Sequence, residues 1–78
     1  MNELKLKEFN QEQVIYLYQP EGEGEYGEIL YKFADGSTVI TKQSKDDEYG
    51  RYAHKAELKI KDCVKRNNLP IKCIQAWY

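Results

Sequence analysis

Residues 28–43 read EILYKFADGSTVITKQ, two β-branched and aromatic runs separated by Asp-Gly. Asp35-Gly36 is the signal of a two-residue type I′ turn, because both residue types tolerate the positive φ that such a turn demands. Strands are therefore expected over Glu28–Ala34 and Ser37–Gln43. A two-residue loop sets the register: Ala34 faces Ser37, Phe33 faces Thr38, Tyr31 faces Ile40 and Leu30 faces Thr41. One face then collects Ile29, Tyr31, Phe33, Thr38 and Ile40. The other carries Leu30, Lys32, Ala34, Val39 and Thr41. The first face is the more apolar and is expected to look into the core.

On the C-terminal side the hydrophobic period changes. Tyr49, Ala53, Ala56, Ile60, Cys63 and Val64 recur at steps of 4, 3, 4, 3 and 1, the spacing of one helix face. A helix is expected from about Asp47 to Asn67. Ser44, Asp46 and Asp47 suit its N-terminal cap, where a side-chain oxygen takes an unpaired backbone N–H. Gly50 weakens the first turn and makes Arg51 an alternative start. Asn67-Asn68 offers a left-handed cap, and Pro70 stops the helix. Ile71–Tyr78 reads as a final strand.

On the N-terminal side, Gln19–Gly27 (QPEGEGEYG) is a loop, broken by Pro20 and three glycines and solvated by its glutamates. Before it, Gln13–Gln19 (QVIYLYQ) is a strand that stops at Pro20. Residues 1–12 support two readings. Leu4 and Leu6 alternate with charges as in a strand, while Leu6, Phe9 and Gln13 fit a helical turn. This segment is expected to be irregular or frayed. The whole is one small domain over residues 1–78, α+β in class and of order β-β-β-α-β. Its mainly antiparallel four-stranded sheet carries one long amphipathic helix on one face.

Composition agrees with a folded chain: 41% of residues are apolar and 32% charged. The net charge of −1 hides an asymmetry. Residues 1–28 hold seven Glu against two Lys, whereas residues 51–78 hold seven Lys or Arg against two acids. An acidic front and a basic back attract each other within a molecule, between copies, or through separate partners. No signal peptide and no membrane-length apolar run is visible, and two cysteines are too few for a secreted disulfide framework. A cytoplasmic protein with reduced thiols and no membrane partner is expected. The abundance of Lys, Glu, Tyr and Asn has a bacterial or phage character.

Chemistry-bearing motifs are few. Gly22-x-Gly24-x-x-Gly27 matches a nucleotide-binding pattern, but a strand follows where a helix N-terminus would have to receive the phosphates. Its glutamates would also repel them. His54 is the only histidine and falls on the outer helix face without an orienting partner. Cys63 and Cys73 do not make a zinc site with one distant histidine. The E-G-E-G-E run lacks the ligand order of a calcium loop. No enzyme, cofactor, metal or small-molecule substrate is expected.

Two surfaces remain. Arg51, Lys55, Lys61 and Lys65 form a basic outer stripe on the helix, a candidate nucleic-acid contact. A helix also covers only one side of a sheet. If Ile15 and Leu17 point to the core, then Tyr16, Tyr18, Leu30 and Val39 share the far side. In the opposite phase Val14, Tyr16 and Tyr18 go inward. The first phase, with Trp77 at the edge, yields the leading expectation: a non-catalytic interaction module, a homodimer or the binder of another protein, using Tyr16, Tyr18, Leu30, Val39 and Trp77. The alternative is a nucleic-acid accessory protein.

Overall fold

The computed structural model describes residues 1–76. In chain order these form β1 (Asn2–Phe9), β2 (Gln13–Pro20), β3 (Gly27–Lys32), β4 (Thr38–Lys42), α1 (Arg51–Lys65) and β5 (Lys72–Gln75). The strands make one antiparallel sheet of order β4-β3-β2-β1-β5. β1 to β4 are a meander. After α1 the chain reaches the opposite edge, where β5 runs in the same direction as β4. The expected α+β class and helix-on-sheet arrangement hold, but the sheet has five strands and the order is β-β-β-β-α-β.

The additional strand is β1, where irregular chain was expected. It pairs on both sides, with β2 and with β5, and its Asn2 and Leu4 are buried. The turn after it has no Gly or Pro to announce it. Asn10 makes it instead: its side-chain oxygen accepts the N–H groups of Glu12 (2.8 Å) and Gln13 (3.0 Å), an Asx turn. A β-bulge at Lys7 shifts the register between Leu6 and Glu8.

The β3–β4 hairpin forms with a different loop. Its pairs are Tyr31–Thr38, Leu30–Val39 and Ile29–Ile40, so residues 33–36 make a four-residue connection. Lys32 donates to the Ser37 carbonyl (2.9 Å) and Gly36 to the Lys32 carbonyl (2.9 Å). Gly36 carries φ +70°, and the Asp35 carboxylate accepts the Ser37 N–H and hydroxyl. The register thus slips by two residues from expectation. A slip of two keeps every side chain on its face, so the face assignment survives. Ile29 is fully buried and Tyr31 and Phe33 pack against the core, but Ile40 lies at the edge and is 38% exposed.

The helix begins at Arg51, the alternative start, and its buried stripe is Ala53, Ala56, Ile60 and Cys63. Tyr49 precedes it and is exposed. At the far end Asn68 donates to the Cys63 carbonyl and left-handed Asn67 to that of Val64, a Schellman cap. The helix lies over β1, β2 and β3. Leu4, Val14, Tyr16, Tyr18 and Ile29 from the sheet meet Ala53, Ala56 and Ile60 from the helix. The two alanines leave room for the two rings.

Candidate interaction surface

The side of the sheet away from the helix is decided by the phase of β2. Tyr16 and Tyr18, expected on that side, are core residues, 1% and 0% exposed. Their hydroxyls explain how. Tyr18 donates to Asp47 Oδ2 (3.0 Å) and accepts the Ser44 N–H (3.1 Å). Tyr16 donates to the Pro70 carbonyl (2.6 Å). A buried ring is stabilising when its polar tip is satisfied. Burial pushes both phenols up to about 12. Opposite Tyr18 stands Gly27. A Cβ there would lie 2.1 Å from the Tyr18 ring, so the ring occupies space that only glycine leaves.

With the tyrosines inward, Ile15 and Leu17 turn outward and replace them. Ile15 faces Leu30 across β2–β3, and Leu30 faces Val39 across β3–β4. The result is one apolar row over three strands. Ile15 is screened by its neighbours, Leu17 and Leu30 are half-buried, and Val39 is 43% exposed. Of the expected contact residues, Leu30 and Val39 are therefore on this surface and Tyr16 and Tyr18 are not. Trp77 lies outside the described residues. Charged groups border the row: Lys7 pairs with Glu28, Lys72 with Glu3 (3.1 Å), and the Lys5 ammonium sits 5.2 Å from the Tyr26 ring centroid. The Lys7 and Thr41 bonds hold the Glu28 carboxyl below its ordinary range. Lys72–Glu3 also joins the basic back of the chain to its acidic front.

The row ends at β4, an edge strand. Val39, Ile40, Thr41 and Lys42 are all exposed. Val39 projects to the open side and Ile40 to the helix side, where its neighbour Thr38 bonds the Glu57 carboxylate. The alternation of β4 was legible in the sequence, but its edge position was not, because it depends on which strand β5 joins.

The other candidates disperse. Arg51, Lys61 and Lys65 are exposed and Lys55 is half-buried. Arg51 lines a cleft of about 200 Å³ with Asp46, Asp47 and Glu48, so the basic stripe starts beside acids. The Lys55 carbonyl accepts from Gln75 (2.8 Å). His54 is exposed. Cys63 and Cys73 are free thiols whose pKa burial raises. The acidic loop, expected as a solvated break between strands, is pinned: Ser44 Oγ donates to the Glu25 carbonyl, Lys45 N–H to the Glu25 carboxylate and Glu25 N–H to Asp46. Among the described residues no group of three or more His, Cys, Asp or Glu side chains is arranged to hold a metal, and no helix is long and apolar enough to cross a membrane.

No family model, no curated protein and no solved structure matches this chain.

Proposed function

We propose that this protein is a small non-catalytic interaction module that self-associates as a homodimer through the open side of its sheet. The observation that carries the reading is the apolar row of Ile15, Leu30 and Val39, running across three strands to β4, whose outer edge pairs with no other described strand. Apolar surface ending at an unpaired edge is stabilised by a second surface, and small domains gain core by association. A cytoplasmic setting accords with the two unpaired thiols. Multi-angle light scattering is expected to return the mass of a dimer. A monomer at high micromolar concentration would sink the reading. A pull-down from native lysate, with and without nuclease, tests the alternative: loss of partners on nuclease treatment would favour a nucleic-acid contact through Arg51, Lys55, Lys61 and Lys65.

A further inference from the structure

We propose that the occupant of the β4 edge is β4 of a second copy, paired antiparallel about Val39 so that two sheets become one. This inference rests on the self-association reading above and places the contact at the β4 edge rather than on the open face of the sheet.

The Lys32 N–H donates to the Ser37 carbonyl, so that pair is hydrogen-bonded. Antiparallel pairs alternate. Leu30–Val39 is then the next hydrogen-bonded pair, and Tyr31–Thr38 and Ile29–Ile40 are not. In β4 the N–H and C=O groups of Thr38 and Ile40 therefore point away from β3. Among the described residues no strand receives them at this edge. Beyond Ile40 the register shifts, with Glu28 opposite Lys42, so the bulge at Thr41 ends the regular edge.

An antiparallel copy centred on Val39 uses those groups in full. Thr38 faces Ile40 of the second copy, and Ile40 faces its Thr38. Both are outward-pointing residues, so each pair exchanges two hydrogen bonds. Val39 meets Val39 of the second copy in a non-hydrogen-bonded pair, with Cα atoms about 4.5 Å apart. Centring on Ile40 instead would set Thr38 against Lys42, beyond the bulge.

Side chains lead to the same pairing. Val39 (43% exposed) and Ile40 (38%) project from opposite faces of one strand. Packing two open faces together covers Val39 and leaves Ile40 in water. Edge pairing covers both, and continues the row of Ile15, Leu30 and Val39 across the two-fold axis. The opposite edge is less suited. β5 has four residues, and Gln75 bonds Asn2 and the Lys55 carbonyl, while Lys72 pairs with Glu3.

The test uses the full 78-residue chain, made by chemical ligation. N-methylation of Ile40 removes its outward N–H without touching the β3–β4 ladder. It is expected to weaken the dimer on the order of 100-fold or more by sedimentation velocity, since one donor is lost per copy. Leu17→Lys, on the open face away from the edge, should leave the dimer intact. Val39→Cys with Cys63→Ala and Cys73→Ala should form an intermolecular disulfide in oxidised glutathione, releasing two reduced glutathiones per bond. An unchanged dimer after N-methylation overturns the edge pairing. If Leu17→Lys then abolishes dimerisation, face-to-face self-association stands and only the edge falls. A wild-type monomer overturns both.

Discussion

Tyr18 organises this molecule at the scale of single residues. Its ring fills the space left by Gly27, and its hydroxyl joins the Asp47 carboxylate to the Ser44 N–H. Gly27 has an ordinary φ, so its requirement is steric rather than conformational. Gly27→Ala is expected to destabilise the fold by about 1–3 kcal/mol through overpacking, read as a lower urea midpoint with unchanged slope. If it matched the wild type, the ring would have another place to go. Nothing in the local sequence marks Gly27 as different from Gly22 or Gly24. Its role depends on the residue across the strand pair.

Among the elements, the helix start shows how a remote side chain replaces a local cap. Gly50, directly before the helix, has no side chain to offer. Asp47 does the work from further upstream: its carboxylate accepts the N–H groups of Tyr52 (3.1 Å) and Ala53 (2.9 Å) while also holding Tyr18. Asp47 is 1% exposed. Asp47→Ala should therefore exceed an ordinary cap loss of about 1 kcal/mol, because it also leaves the Tyr18 hydroxyl without its acceptor. Chemical denaturation would show about 2–4 kcal/mol lost, and a loss under about 1 kcal/mol would argue against the shared role. Asp47 was legible as a cap residue, and so was the Asn67 stop. That Asp47 is buried and bonded to a strand was not, since its partner lies 29 residues away.

For the whole molecule the decisive element is β1. It stands between β2 and β5, and through β5 it anchors the return from the helix. Removing residues 1–9 would expose the β2 edge and strip β5 of its partner. The shortened chain should show no cooperative thermal transition in near-ultraviolet circular dichroism, whereas a frayed N-terminus would be dispensable. The sequence by itself determined the hairpin faces, the helix with its stop, and the α+β class. Those features follow from period, turn chemistry and caps within a few residues. Tertiary structure decided the rest. Val14–Gln19 is apolar in both phases, so pattern alone is silent on which side faces the helix. The choice fell to groups distant in sequence: the carboxylate of Asp47, the carbonyl of Pro70, the gap at Gly27 and the room left by Ala53 and Ala56. The same packing turned Ile15 and Leu17 outward, set β1 in the sheet and left β4 at its edge, because strand order is fixed by contacts between segments and not within them.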